Sequence, residues 1–183
     1  MKSLLFVYLV IISFSVMAQK TDSLPPKVCH WDSLAVKKQK SWTTRSVIEG
    51  STTSLAWFEV TTITLEPGKA SPQSTVFYDL EELIIVKEGQ VNITINSVSK
   101  KLGAGSIAFA MPRMVHTVRN AGNTKATYYL LKYKGRLPMD IDRAKRAGGS
   151  FMLDWNELPT ANTGKGYRRE FFNRPTSQLC QFE

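Results

Sequence analysis

Between residues 46 and 136, short runs rich in Val, Ile, Thr, Phe and Tyr alternate with turn residues at regular intervals. The runs fall at 55–65, 83–87, 91–95, 97–101, 106–110, 115–119 and 127–133. Between them stand Pro67-Gly68, Glu88-Gly89, Asn96-Ser97, Gly103-Ala104-Gly105, Met111-Pro112 and Asn120-Ala121-Gly122-Asn123. β-branched and aromatic side chains suit a pleated, half-buried surface, and Gly, Pro and Asn supply the turn conformations between strands. Seven such runs with no helical period predict an all-β sandwich or barrel.

The flanks read differently. Met1-Lys2, an apolar stretch and Ala18 have the order of a secretory signal peptide, and the apolar run is shorter than the ~20 residues a spanning helix needs. Residues 1–18 are therefore expected to be removed, with export to the periplasm or the medium and no stable membrane anchor after cleavage. Residues 19–45, polar and carrying Pro25-Pro26, read as an N-terminal arm. After the barrel region, 137–168 reads as a linker holding one short helix at 140–147, closed by Gly148-Gly149. The last nine residues match Ser51 to Glu59 at four positions (Thr, Leu, Phe and Glu). Residues 169–183 are accordingly read as the start of a second copy of the domain, a completing tail or a plain edge strand.

Composition removes several function classes. A hydrophobic content of 43% excludes a disordered chain. Two cysteines, Cys29 and Cys180, exclude a disulfide-rich scaffold and leave one pairing open in an oxidising compartment. Two histidines, His30 and His116, exclude a three-histidine metal site within one chain. The net charge of +9 is scattered and lacks a basic stripe interleaved with aromatics, which argues against nucleic acid as a partner.

Chemistry concentrates in two stretches. The first runs from Leu65 through Pro67-Gly68 and Glu82 to Gly89, with six residues between Glu82 and Gly89. The second runs from Gly105 through Pro112 and His116 to Asn120. In these two motifs and in the spacing between them, the chain resembles the cupin superfamily. The resemblance covers about residues 46–136, half of the chain. It implies a cupin-type double-stranded β-helix, a jelly-roll barrel, here with an N-terminal arm and a mixed C-terminal extension. The whole chain also resembles the N-terminal half of exported two-cupin proteins related to ureidoglycine aminohydrolase, in which one barrel can keep its metal and the other lose it.

The family's metal takes three imidazoles and one carboxylate. Here its His-x-His pair falls on Val76 and Tyr78, and neither replaces a neutral imidazole. The resemblance leaves Glu82 and His116 as metal ligands, with Mn, Fe, Zn or Ni as the candidate divalent ion. Gln73 is a weak additional oxygen donor. Gln73, Val76, Tyr78, Met111 and Met114 are expected to line the pocket. Strand alternation turns only one of Glu81 and Glu82 inward, and the resemblance selects Glu82.

Two classes of function follow. One is an exported cupin with a degenerate metal site that binds a small molecule or serves as the accessory barrel of a two-cupin protein. The other is a metal-dependent hydrolase, isomerase or dioxygenase acting on a small polar substrate. Whether the chain is an enzyme stays open at this level. A homodimer or a second cupin domain is the expected protein partner.

Overall fold

The computed structural model describes residues 23–72, 76–171 and 179–180. The expected signal peptide, Gln73 and most of the final stretch lie outside them. Nine strands build the barrel region: β1 (Val36–Lys38), β2 (Trp42–Gly50), β3 (Leu55–Leu65), β4 (Glu81–Glu88), β5 (Gln90–Ile95), β6 (Val98–Gly103), β7 (Ile107–Ala110), β8 (His116–Asn120) and β9 (Ala126–Gly135). After them come helix α1 (Ile141–Arg146), β10 (Phe151–Leu153), and the short strands β11 (Ala161–Asn162) and β12 (Tyr167–Arg168). The described pairings named below are antiparallel. One sheet has the order β1-β2-β3-β9-β4-β7-β10 and faces a second of order β6-β5-β8. Among the described residues the fold is the cupin-type jelly roll that the resemblance implied, all-β apart from α1 and two 3-10 turns at Trp31–Ser33 and Trp155–Glu157.

The core lies between these sheets. Ile84 and Val86 from one sheet meet Val91, Ile93 and Val118 from the other, each at most 1% exposed. Burying a side chain of this size stabilises the fold by roughly 1.5–3 kcal/mol. The turns follow their sequence signals. Asn96 takes the left-handed conformation (φ 53°) in the tight β5–β6 hairpin, where Asn is tolerated best after Gly. Gly89 (φ 78°) lets β4 turn into β5 against β9, since a Cβ there would lie 2.8 Å from the Ala126 backbone.

The sheet begins earlier than the barrel boundary read from sequence. Trp42–Gly50 is one strand paired along β3, and Val36–Lys38 pairs with it. The polar stretch before residue 46 thus belongs in part to the sheet, because a strand at the edge of a sheet can be polar on its outer face.

The region read as a linker is also fastened to the barrel. Helix α1 forms where predicted: the Asp140 carboxylate accepts from the Arg143 N–H at 2.9 Å as its N-cap. At its other end the Gly149 N–H reaches the Ala144 carbonyl at 2.9 Å with φ 69°. β10 then pairs with β7. The Trp155 side chain lies over Gly105, and the Trp155 backbone N–H donates to the Ser106 hydroxyl at 3.0 Å. Among the described residues no helix is long and apolar enough to cross a membrane.

Cys29 and Cys180 are both free thiols. Cys29 donates to the Val47 carbonyl at 3.7 Å, and Cys180 is buried on the outer face of the large sheet.

Candidate functional site

Glu82 and His116 meet inside the barrel. Glu82 points inward from β4 in one sheet, and His116 opens β8 in the other. His116 Nδ1 lies 3.3 Å from Glu82 Oε2, and both side chains are 5% exposed. The second oxygen, Glu82 Oε1, is buried and accepts no hydrogen bond among the described residues. A buried carboxylate oxygen left without a donor is costly unless a ligand or water meets it.

The cavity around this pair is about 240 Å³. Trp42, Ile63, Phe77 and Leu130 give it an apolar wall. Its polar wall adds Ser71, Tyr128 and Lys132 to the Glu82–His116 pair. Tyr128 hydrogen-bonds to Ser71, yet burial holds its phenol well above the usual range, and the nearby Glu82 charge pushes the same way. The phenol therefore stays a neutral donor. Lys132 stands opposite Glu82 in the β4–β9 register. Its ammonium lies 3.6 Å from Glu59 and 5.3 Å from the Phe77 ring centre.

Several pocket residues expected from sequence lie elsewhere. Val76 is 39% exposed and Tyr78 68% exposed, and neither lines the cavity. Phe77, between them, does. The reason is the local backbone. Residues 76–80 form a loop rather than a strand, fixed where the Arg113 N–H donates to the Phe77 carbonyl at 2.7 Å. Arg113 itself sits at φ 70°, an uncommon conformation for a residue with a Cβ. Met111 and Met114 line a different cavity of about 570 Å³, between the β5–β6 hairpin and the segment after α1.

Other motif residues are architectural. Asn120 is 1% exposed and donates to the carbonyls of Leu65 (3.1 Å) and Thr124 (2.7 Å). Its own carbonyl accepts from the Gly122 N–H at 2.9 Å, which ties β8 to the ends of two neighbouring segments. Lys132 and Tyr128 join the cavity without a sequence expectation. A signal for both existed, since alternation along β9 places Tyr128, Leu130 and Lys132 on one face.

The donor set differs from the one the resemblance implies for a metal. One imidazole and one carboxylate are present, and no group of three or more His, Cys, Asp and Glu occurs among the described residues. A lysine ammonium shares the wall. These residues do not fit a tight first-row metal centre, which needs about three or four protein donors. They do fit proton chemistry and hydrogen bonding: an imidazole held by a carboxylate can accept a proton from a bound hydroxyl or amine.

Comparison with known proteins bears on fold. Residues 61–132 match the family model described as "Cupin domain". No curated protein sequence matches the chain. Among solved structures, the protein Ylba from E. coli aligns with a TM-score of 0.56 at 16% identity, covering 70% of this chain and 52% of that one. KdgF from Halomonas sp. aligns at 0.52 and 10% identity, covering 61% and 96%. A predicted oxalate decarboxylase from Thermotoga maritima aligns at 0.51 and 12% identity, covering 59% and 99%. At such identities the likeness carries the fold alone. Residues 61–132 thus match a cupin domain model, and the chain shares the jelly-roll fold of these structures.

Proposed function

We propose that the chain is an exported cupin that binds a small polar molecule in the Glu82–His116–Lys132 cavity without a tightly held metal. The observation that carries this reading is the buried Glu82 Oε1, which lacks a donor among the described residues and belongs to a cavity that also presents an ammonium. A ligand with a hydroxyl or amine for Glu82 and an acceptor or negative group for Lys132 complements that wall. At about 240 Å³ the cavity is below the ~300–1,000 Å³ typical of drug-sized ligands, which favours a small one. Export rests on the leader-like order of residues 1–18. A role as the accessory barrel of a two-cupin protein rests on the sequence resemblance to such proteins.

The test combines metal titration with ligand screening. Calorimetric titration of the purified protein with Mn, Fe, Zn and Ni should show no tight stoichiometric site. Small hydroxy and amino acids screened by thermal shift should include stabilising ligands, and the shift should vanish in His116→Ala and Glu82→Gln. A tight metal site lost in His116→Ala would overturn this reading and favour the metal-dependent enzyme.

A further inference from the structure

The outer face of the large sheet carries a further cavity, of about 590 Å³, between that face and the N-terminal segment. Alternation along β2 explains why it is chemically distinct. Trp42 and Thr44 line the barrel cavity, whereas Thr43 and Arg45 point the other way and line this one. Lys38 on β1 and Lys125 before β9 extend the same wall.

The charges in this cavity do not balance. Lys125 pairs with Glu66 at 3.0 Å, and Glu88 pairs with Lys87 at 3.6 Å. The Glu88 carboxyl is held below its usual range, first by a hydrogen bond from Thr127 and also by Lys87, so it remains ionised. Arg45 and Lys38 have no carboxylate partner among the described residues. Arg45 Nε is buried and makes no hydrogen bond there. Among the described residues the guanidinium rests against the Trp31 ring, 4.5 Å from its centre, and the Lys87 ammonium lies 4.8 Å from the same ring. A cation–π contact steers a guanidinium but leaves its N–H groups unmet.

We infer that this cavity binds a phosphate or sulfate group, either as the free ion or as an ester, with Arg45 as the principal donor and Lys38 as a second charge. A guanidinium presents several N–H donors in one plane, which matches the oxygens of a tetrahedral oxyanion, and the Thr43 hydroxyl on the same wall is a further donor. The cavity is larger than a bare ion requires, so an ester is expected to bind more tightly than the free ion. This inference concerns the face opposite the Glu82–His116 cavity and stands apart from the function proposed there.

The test is an NMR titration of the full chain, at low salt, with inorganic phosphate, inorganic sulfate and phenyl phosphate. It follows the Arg45 Nε–H and Trp31 indole signals. Saturable shifts of both signals are expected, with phenyl phosphate the tightest of the three. Arg45→Gln should weaken binding about tenfold or more, as expected for loss of a charged hydrogen bond. Lys38→Gln, at an exposed strand, should weaken it about severalfold and serves if the Arg45 variant does not fold. Absence of saturable shifts with all three probes, or an affinity unchanged in Lys38→Gln and in a folded Arg45→Gln, would overturn the inference.

Discussion

Glu81 and Glu82 are adjacent on one strand, and both are buried, yet they do different things. Glu82 faces the barrel interior, beside His116 and a cavity with room for a ligand. Glu81 faces the opposite side, where its Oε1 accepts the Cys180 N–H at 2.6 Å. Around it, the Leu179 carbonyl accepts from Arg143 at 2.6 Å, and the Cys180 carbonyl accepts from the Asp140 N–H at 2.9 Å. Burial pushes the Tyr133 phenol and the Cys180 thiol far above their usual ranges, and the Glu81 charge adds to both shifts. One carboxylate thus stitches two distant parts of the chain together, while the other offers an oxygen to something from outside. Residue type and depth alone would not separate them; the partners do.

The largest expected effect breaks the Glu81 side. Glu81→Ala removes the acceptor for a buried N–H and should cost about 2–3 kcal/mol in urea unfolding. Glu81→Gln keeps an acceptor and should cost less. On the inner side, Asn120→Ala strips the anchor from the strand that carries His116, leaving buried carbonyls without donors. A loss of about 1–3 kcal/mol is expected there, with ligand response falling in step with stability.

Alkaline pH probes both sides at once. Tyr128 on the inner side, and Tyr133 and Cys180 on the outer, have raised folded-state values. Their contribution is therefore full below the unfolded-chain values, about 8.5 for Cys and 10 for Tyr, and declines as pH rises beyond them. Stability measured from pH 7 upward should fall above about pH 9. Tyr133→Phe and Tyr128→Phe should each flatten part of that fall, which apportions it between the two sides. The smallest stability change is expected for Glu82→Gln, within about 1 kcal/mol, while its ligand-induced thermal shift disappears. An equal loss of stability in Glu81→Gln and Glu82→Gln would erase the distinction between the two carboxylates.

Local pattern made much of the fold legible. The run at 55–65 is β3 residue for residue, and the helix at 140–147 lies within its cap residues. Both follow from short-range rules, strand alternation and helix capping, that act within a few residues. The Glu82–His116 contact was legible only through the resemblance to cupin motifs, which places both residues on regular strands where position follows register. The same resemblance failed at Val76 and Tyr78, which lie in a loop, where spacing no longer fixes the direction of a side chain. Alternation also identified two faces at Glu81 and Glu82 without revealing that the outer face is covered. That cover comes from Leu179 and Cys180, about a hundred positions away in sequence. Met111 and Met114 show a related limit: their apolar character marks a cavity but not which one.

The attachment of β10 has a consequence for where the chain can be cut. β7 is buried at all four positions, Ile107, Ala108, Phe109 and Ala110, and carries no charge. One of its long edges is taken by β4 and the other by β10. Removing everything after Arg136 would leave an uncharged, apolar strand with a row of open amides and carbonyls, the template on which further chains add edge to edge. The segment that resembles a linker in sequence thus doubles as protection against self-association, and a trimmed barrel should precipitate where the longer chain remains dispersed.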